Sequence, residues 1–382
     1  RRLAGCLRVV TLSHEDRRWM AQALALSARA RGSTAPNPRV GCVLVRGGVA
    51  VGSGLHHGAG TAHAEDTALD AAGTAARGAT AYVTLEPCAH HGRTPPCADR
   101  LITAGVTRVV AAIGDPDPRV DGKGFARLEK AGIQVQTGLL AREAERLNAV
   151  FLHHHRAGTP LVTLKAALSL DGQLSAACGE SRWITGLTAR RVAHRLRLDH
   201  DAILVGAGTV RRDDPRLSIR LDGDEETRLV AILSLSLDLD LAARVFSRRD
   251  PDSVIVYTGP AGSAERARVL ASVATVVRVG ADERGLKLEE VLSDLGARGM
   301  YSVLVEGGGM TLHRFVSQGL AQRAALFHAP IALGAGGATP MLAGAAVSVP
   351  TAGWSLERDG VVALGRDQLT VGRWVPARSS GA

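Results

Sequence analysis

The chain contains little lysine, few aromatic side chains and little cysteine. Four of its 46 basic residues are lysines (Lys123, Lys130, Lys165 and Lys287), and Phe, Trp and Tyr together make up 3% of its 382 residues. So few aromatic rings leave few platforms for stacked nucleic-acid bases, and the sequence contains no RNA-binding motif. Five cysteines, an odd and sparse number, argue against the disulfide framework of a small secreted protein.

Long apolar segments are also absent from the sequence. No apolar run approaches the length that spans a bilayer. The first 13 residues, RRLAGCLRVVTLS, hold an apolar stretch that is short and interrupted by Arg8, so they do not predict a signal peptide. We expect a globular, cytoplasmic protein with no membrane partner.

The positive charge of the chain has three explanations. A net charge of +9 indicates a nucleic-acid partner, phosphate-bearing ligands or a compositional bias toward arginine. The excess is spread over both halves, without the basic tail or block that marks a nucleic-acid arm. Histidine and cysteine are unevenly distributed, because nine of 13 His and four of five Cys precede residue 156. We therefore expect a metal site in the first half.

Strand and helix patterns alternate along the whole chain and predict α/β layers. Ser13, followed by Glu15 and Asp16, indicates the N-cap of a first helix, and VGCVLVR-GG-VAVGSG from residue 40 predicts a β-hairpin. Three consecutive histidines (153–155) and RAGTP (156–160) indicate a helix end. Adjacent helical residues point about 100° apart, so these histidines do not converge on one ion. We place a domain boundary here, giving residues 1–155 and 156–382.

The second half repeats the α/β pattern and carries one glycine cluster. VEGGGMTLHRF (305–315) predicts a strand that runs through three glycines into a helix. Glycines at such a junction let backbone N–H groups approach a pyrophosphate. The pattern differs from the G-x-G-x-x-G dinucleotide fingerprint, and three glycines also suit a tight turn.

His63, Cys88 and Cys97 form the candidate metal site. One imidazole and two thiolates supply three ligands for a tetrahedral zinc and leave the fourth position to water, as in catalytic zinc sites. Glu65 is placed to move protons between that water and a leaving amine.

The spacing fits a known signature in part. Zinc-dependent deaminases carry H-x-E followed by P-C-x-x-C, whereas eight residues separate Cys88 from Cys97 here. A non-catalytic zinc clip, with His90 or His91 as fourth ligand, is the alternative.

Longer motifs resemble those of the bifunctional riboflavin-biosynthesis deaminase/reductase family. PNPRVGCVLV (36–45), HAE (63–65), AYVTLEPCAHHGRTPPC (81–97) and RVVAAIGDPDPRVDGKG (108–124) resemble its deaminase half, and the long cysteine spacing is that family's own variant. TLKAALSLDG (163–172), SRWITG (181–186) and DAILVGAGTVRRDDPRLSIR (201–220) resemble its reductase half. The resemblance covers nearly the whole chain. It implies a cytidine-deaminase-like αβα layered domain followed by a dihydrofolate-reductase-like α/β domain.

The resemblance implies two reactions on one small phosphoribosyl-pyrimidine. The first is zinc-dependent hydrolytic removal of the 2-amino group from 2,5-diamino-6-(5-phosphoribosylamino)pyrimidin-4(3H)-one. The second is reduction of the ribosyl group of 5-amino-6-(5-phosphoribosylamino)uracil to ribityl, with NADPH as hydride donor. The implied cofactors are one zinc per deaminase site and NADPH. We expect a homo-oligomer without a nucleic-acid partner.

The resemblance also assigns roles to individual residues. In the first half it implies catalysis by Glu65, zinc binding by His63, Cys88 and Cys97, and substrate contacts by Asn37, His56, His90 and Arg93. In the second half it implies proton transfer by Lys165 and Glu306, and substrate contacts by Ser181, Arg197, Leu217, Arg220 and Glu306. Cofactor contacts are implied for Ala167, Trp183, Thr209, Asp213, Ser234, Gly307, Gly308 and Gly309.

Some of these residues have plainer explanations. Trp183 suits core packing, Lys165 suits a strand position facing solvent, and His56 suits an ordinary loop. Where the family has an Asp-Ser pair, this chain reads ILSLSLDLDL from residue 232, so Ser236 is an alternative to Ser234.

Two other functions compete with the bifunctional enzyme. The charge of +9 suggests a nucleic-acid-editing zinc deaminase with an accessory binding domain, which the scarcity of aromatic residues disfavours. A zinc-stabilised binding protein without catalysis is disfavoured by Glu65, because a structural zinc site has no use for a general base.

Overall fold

The computed structural model describes residues 12–30, 37–58, 60–90, 95–178, 183–221, 223–248 and 250–376. The chain divides into two compact units, Arg1–Ala157 and Gly158–Ala382. This division falls two residues after the boundary expected from the sequence. None of the helices in the described ranges has the length and apolar composition needed to cross a bilayer.

The first unit alternates helices with strands. Its helices are α1 (His14–Ala28), α2 (Ala64–Ala72), α3 (Cys97–Thr103), α4 (Lys123–Lys130), α5 (Ala141–Leu147) and α6 (Ala149–Ala157). Its strands are β1 (Gly41–Arg46), β2 (Val49–Leu55), β3 (Thr80–Val83), β4 (Arg108–Ala111) and β5 (Gln134–Thr137). Within the described ranges these strands form one sheet in the order β2-β1-β3-β4-β5. β1 pairs antiparallel with β2 and β3, and β3, β4 and β5 run parallel.

Side chains alternate across this sheet and create two cores. Cys42 and Leu44 of β1 join one buried cluster, which includes residues of α2, α3 and α6, whereas Val43 and Val45 join another with residues of α1 and α5. The sheet therefore lies between two helical layers, because successive strand residues point to opposite faces. The predicted N-cap Ser13 accepts a hydrogen bond from the backbone N–H of Asp16, which completes a capping box.

The first strand of the second unit begins at Leu161. Its strands are β6 (Leu161–Leu168), β7 (Gln173–Ser175), β8 (Ala202–Gly206), β9 (Ile219–Leu221), β10 (Asp224–Glu226), β11 (Leu229–Leu233), β12 (Val254–Thr258), β13 (Thr275–Arg278), β14 (Ala281–Asp282), β15 (Gly285–Leu286), β16 (Ser302–Val305), β17 (Arg323–His328), β18 (Thr339–Pro340), β19 (Trp354–Leu364) and β20 (Asp367–Pro376). Its helices are α7 (Leu187–Leu198), α8 (Ala207–Asp213), α9 (Ala264–Leu270), α10 (Leu288–Ala297) and α11 (Gly309–Ser317). Short 3-10 helices lie at Gly73–Ala76 in the first unit and at Arg244–Phe246, Pro251–Ser253 and Pro350–Ala352 in the second.

The main sheet of the second unit is predominantly parallel. Its order within the described ranges is β13-β12-β11-β8-β16-β6-β17-β20-β19. The strands from β13 to β17 in that order run parallel, and the β19–β20 hairpin joins antiparallel at one end. One buried cluster includes residues of α10 and α11, and two other clusters contain residues of α7, α8 and α9. All parallel strands end at one edge of the sheet, which is where ligands bind in open α/β sheets.

Two segments differ from the expected pattern. The segment AILVGAG (202–208) reads as one strand in the sequence, but β8 ends at Gly206, which is the N-cap of helix α8. The long hairpin Trp354–Pro376 was not predicted. Its outer strand β19 is mostly exposed, so its apolar residues do not repeat at the regular spacing that marks a buried strand.

Candidate metal centre and cofactor cavity

The three predicted metal ligands meet in the first unit. His63 is the N-cap of α2, Cys97 is the first residue of α3, and Cys88 lies in the loop that follows β3. Helix α2 reaches this position because glycines in β2 let it lie close to the strand: a Cβ at Gly54 would lie 2.3 Å from the carbonyl oxygen of Ala64.

The donor atoms have the spacing of a metal site. The ligand atoms of His63, Cys88 and Cys97 all lie within 4.8 Å of one another. His63 Nδ1 lies 3.1 Å from Cys97 Sγ and 3.7 Å from Cys88 Sγ. Zinc bonds of about 2.0–2.3 Å in a tetrahedron place ligand atoms about 3.5–3.8 Å apart. These residues therefore fit zinc.

Electrostatics at the cluster favours a thiolate. A hydrogen bond from Cys97 and the neighbouring His63 imidazole hold the pKa of the Cys88 thiol well below its usual range. Interaction with Cys88 raises the pKa of His63 to about 9. Thiolate is the form of cysteine that binds metals. Among the described residues His90 is not part of the cluster, and His91 lies outside them.

Glu65 lies in the first turn of α2, close to the ligands. Its side chain is 3% exposed, and burial raises the pKa of its carboxyl group to about 7. A carboxyl group that titrates near neutrality can both accept and return a proton. The position suits the predicted role of proton carrier.

Two predicted substrate contacts lie beside the ligands. The Asn37 side-chain nitrogen lies 3.1 Å from His56 Nε2, and the His56 ring is 5.5 Å from the His63 ring, centroid to centroid. His56 is 3% exposed, and burial lowers its pKa. His56 is therefore no ordinary exposed loop residue. The buried Nδ1 of His90 has no hydrogen-bond partner among the described residues, and Arg93 lies outside them.

The sequence analysis missed the residue that braces the Cys88 loop. The buried carboxylate of Glu86 accepts hydrogen bonds from four backbone N–H groups, at 2.9–3.3 Å, of Asp115, Gly122, Gly124 and Phe125. These hydrogen bonds connect the loop that contains Cys88 to residues 115–125. One sequence feature could have identified Glu86, namely a charged residue between the buried strand β3 and Pro87-Cys88.

The zinc site gives a testable stoichiometry. We expect the purified protein, stripped of metal and then reloaded, to bind one zinc per chain, measured by plasma mass spectrometry after dialysis. Cys88→Ser should lower this to below about 0.1, because hydroxyl oxygen is a poor zinc ligand at neutral pH. Cys178→Ser is the matched control, since Cys178 is an exposed free cysteine outside the cluster. Equal zinc content in the two variants would contradict the assignment.

In the second unit a cavity of about 1400 Å³ opens at the edge where the parallel strands end. We call it the cofactor cavity. It brings together all the predicted residues of this half that the structure describes, namely Lys165, Ala167, Trp183, Arg197, Thr209, Asp213, Leu217, Arg220, Ser234, Glu306, Gly307, Gly308 and Gly309. Ser181 lies outside the described residues.

Lys165, Glu306 and Arg197 form an ion-pair network in the cofactor cavity. Lys165 Nζ lies 3.6 Å from Glu306 Oε2, and Arg197 donates to both carboxylate oxygens, at 2.6 and 3.0 Å. Burial opposes ionisation of Glu306, but Arg197 and Lys165 bring its pKa down to about 2. Lys165 is therefore not a solvent-facing strand residue. The Arg197 guanidinium also donates to the Ser218 carbonyl at 2.7 Å, so its donors are directed toward the protein.

Trp183 lies at the cavity wall and not in the core. It is 65% exposed, and the Arg190 guanidinium carbon lies 4.0 Å from its ring centroid. The core-packing explanation for Trp183 is wrong. An exposed indole whose ring contacts a guanidinium is suited to stacking on a ligand ring.

The glycine cluster forms the start of α11. Gly308 is the N-cap, and a Cβ on Gly309 would lie 2.2 Å from the Pro340 carbonyl oxygen. A Cβ on Gly307 would lie 2.6 Å from Thr311 Cβ. The junction brings backbone N–H groups of a nine-residue helix to the cavity wall, which fits a pyrophosphate.

The Ser234 and Ser236 alternatives differ in exposure. Ser234 is 2% exposed, and its hydroxyl accepts a hydrogen bond from the backbone N–H of Leu237. Ser236 is exposed and lines the same cavity.

His194, which sequence reasoning missed, also lines the cavity, and burial together with Arg197 and Arg220 lowers its pKa to about 4.

Two family models match the chain. Residues 13–113 match the cytidine and deoxycytidylate deaminase zinc-binding region, and residues 160–369 match the RibD C-terminal domain. The riboflavin biosynthesis protein RibD of Bacillus amyloliquefaciens is 42% identical over 85% of this chain and 87% of its own length. That of Escherichia coli (strain K12) is 43% identical over 84% of this chain and 89% of its own length.

Solved structures give the same similarity in three dimensions. Acinetobacter baumannii RibD (form 1) matches with a TM-score of 0.82 and 36% identity, covering 94% of this chain and 99% of that one. A Thermotoga maritima structure, described as a diaminohydroxyphosphoribosylaminopyrimidine deaminase/5-amino-6-(5-phosphoribosylamino)uracil reductase, matches with a TM-score of 0.78 and 33% identity. It covers 94% of this chain and 99% of that one.

Proposed function

Since the chain belongs to the RibD family of bifunctional riboflavin-biosynthesis enzymes, we propose that residues 1–155 deaminate the diaminopyrimidinone phosphate and that residues 156–382 then reduce its ribosyl group. The predicted fold class, a cytidine-deaminase-like domain followed by a dihydrofolate-reductase-like domain, is confirmed by the matches to both domains. A zinc-binding deaminase domain and an NADPH-dependent reductase domain are the family's two parts. The nucleic-acid-editing alternative is not favoured.

The deaminase step would use the cluster and its neighbours. His63, Cys88 and Cys97 would hold zinc, which, when bound, lowers the pKa of a water toward neutrality and so supplies a nucleophile. Glu65 would take the proton from the attacking water and deliver it to the 2-amino group as ammonia leaves. Asn37 would read the pyrimidine edge, because its amide both donates and accepts hydrogen bonds.

Three further contacts complete the proposed substrate site. His56 holds Asn37 in place through their hydrogen bond of 3.1 Å. His90 and Arg93, which lie between the two cysteines in the sequence, are proposed as substrate contacts, with Arg93 suited to the ribose 5-phosphate.

The reductase step would use the ion-pair network. Opening of the ribosyl ring breaks the bond between C1′ and the ring oxygen, which must gain a proton, and leaves C1′ doubly bonded to a protonated nitrogen. Lys165, held 3.6 Å from Glu306, is placed to donate the proton to the ring oxygen. NADPH, when bound, would supply the hydride that C1′ accepts, so one proton and one hydride complete the reduction. Arg197 acts through Glu306, which it keeps ionised.

Further residues of the second half of the chain would bind the two ligands. Ser181, Leu217 and Arg220 are proposed substrate contacts. The proposed NADPH contacts are Ala167, Trp183, Thr209, Asp213, Ser234 or Ser236, Gly307, Gly308 and Gly309. Leu217 is 3% exposed, so we assign its contact to the backbone.

The proposal extends to location and assembly. Cys42 and Cys178, which lie outside the metal cluster, form no disulfide within the described residues, which supports a reducing, cytoplasmic compartment. The outer strand β19 exposes Val361 and Val362 at the end of the sheet, which supports a homo-oligomer that covers this strand.

The observation that carries the proposal is the coexistence of two complete sites on one chain, the three-ligand cluster with Glu65 and the Lys165–Glu306 pair. The test is a staged assay on the zinc-loaded protein. Without NADPH we expect one ammonia per diaminopyrimidinone phosphate, and NADPH added afterwards should be oxidised one to one. No ammonia release until NADPH is added, or ammonia release with no NADPH oxidation afterwards, would contradict the proposal.

A further inference from the structure

The sheet order fixes the direction in which a dinucleotide would extend through the cofactor cavity. This argument depends on the proposed reductase function. The nicotinamide must reach Lys165 of β6 and Glu306, which directly follows β16, while the pyrophosphate fits the glycines at the start of α11. In the sheet β6 lies on one side of β16, and β8 and β11 lie on the other. The adenosine half must therefore lie over the ends of β8 and β11.

The four residues that directly follow β11, 234–237, contain no carboxylate that would bind a free ribose hydroxyl. Residues 232–237 read ILSLSL, and the first acidic residue is Asp238. Its carboxylate lies 3.8 Å from Arg266. In many NAD-specific sites an acidic residue at this kind of position accepts a hydrogen bond from the ribose 2′-hydroxyl, whereas NADP sites place an arginine there.

One arginine is fixed at this end of the cavity. Arg211, in the last turn of α8, donates from NH1 to the Asp238 carbonyl oxygen at 3.1 Å. This bond fastens α8 to the turn that follows β11. Within the described part of the chain, the other four N–H donors of its guanidinium have no hydrogen-bond partner, and no carboxylate forms an ion pair with it. Ser236, exposed on the same turn, lines the cavity as well.

We propose that Arg211 binds the 2′-phosphate of NADPH and makes the reductase prefer NADPH over NADH. A guanidinium matches a phosphate in charge and presents paired donors to its oxygens. Arg212 lines the same cavity but points about 100° away around α8, and it has no bond to the β11 turn within the described residues. The Ser236 hydroxyl supplies a second donor to the same phosphate.

The test measures binding without catalysis. The dissociation constants of NADPH, NADH, 2′-AMP and 5′-AMP are determined by titration calorimetry on the full-length, zinc-loaded protein without substrate. For Arg211→Ala we expect NADPH and 2′-AMP to bind about 10- to 100-fold more weakly, as for loss of a charged hydrogen bond, and NADH to change by less than about twofold. Arg268→Ala, an exposed arginine of α9 outside the cavity, is the matched control and should change none of these constants.

The outcomes separate this inference from the function on which it depends. If Arg211→Ala weakens NADPH and NADH equally, or neither, while its thermal unfolding midpoint matches that of the Arg268→Ala control, Arg211 is not the determinant. A selective loss of NADPH binding in Arg212→Ala instead would also overturn the proposal. A wild-type protein that binds neither dinucleotide would contradict the reductase function itself.

Discussion

Glu65→Gln should abolish ammonia release from the diaminopyrimidinone phosphate, with a loss in kcat of about 10²- to 10⁴-fold, as for removal of a general acid–base. Glutamine keeps the size of the side chain and its hydrogen-bonding capacity but cannot carry the proton from water to the leaving amine. Glu65 is 3% exposed beside the three ligands, so bulk water cannot easily replace it. The rate is measured by coupled detection of ammonia.

Two measurements make this result specific. Zinc content should stay at one per chain, because Glu65 is not among the clustered ligands. Reduction of the supplied deaminated intermediate by NADPH should keep at least about half of the wild-type rate. Loss of both activities together would show that the two sites are not independent.

Lys165→Met should have the reverse effect. The substitution removes the charged amine and keeps most of the length of the side chain. NADPH oxidation with the deaminated intermediate should fall by about 10²- to 10⁴-fold, because the ring oxygen loses its proton donor. Ammonia release from the diaminopyrimidinone phosphate should continue at the wild-type rate. Absorbance of NADPH at 340 nm reports the first reaction, and ammonia detection reports the second.

The chain offers a matched control for this variant. Lys287 lies in the same unit, is exposed, and pairs only with Glu290, at 3.7 Å, among the described residues. Lys287→Met should leave both rates unchanged. An equal loss of NADPH oxidation in the two lysine variants, or a loss of less than about threefold in Lys165→Met, would remove Lys165 from the mechanism.

The metal site was predictable because its ligands occupy fixed places in short local patterns. His63 directly precedes a helix, Cys88 follows a strand and Cys97 begins the next helix, so an α/β arrangement brings them to one edge of the sheet. Residue type then identified the chemistry, since one imidazole and two thiolates are typical zinc ligands. The strand and helix patterns likewise predicted the elements with buried faces.

The features of the sites that the sequence did not predict depend on contacts between residues far apart in the chain. Arg197 and Glu306 are 109 positions apart, and no pattern in either segment indicates that the arginine binds a carboxylate and not a phosphate. The role of Glu86 depends on the backbone N–H groups of 115–125, which composition does not describe. The exposure of Trp183 follows from tertiary packing, so the sequence left core packing open beside the predicted cofactor contact.

The central claim is that two separate sites on this chain act in order, deamination before reduction. The most direct test mixes Glu65→Gln and Lys165→Met in equal amounts with zinc, NADPH and the diaminopyrimidinone phosphate. Glu65→Gln alone should release no ammonia and oxidise no NADPH, and Lys165→Met alone should release ammonia without oxidising NADPH. The mixture should do both in equal amounts and form the ribityl product. NADPH oxidation by Glu65→Gln alone, or a mixture that forms no ribityl product, would contradict the account.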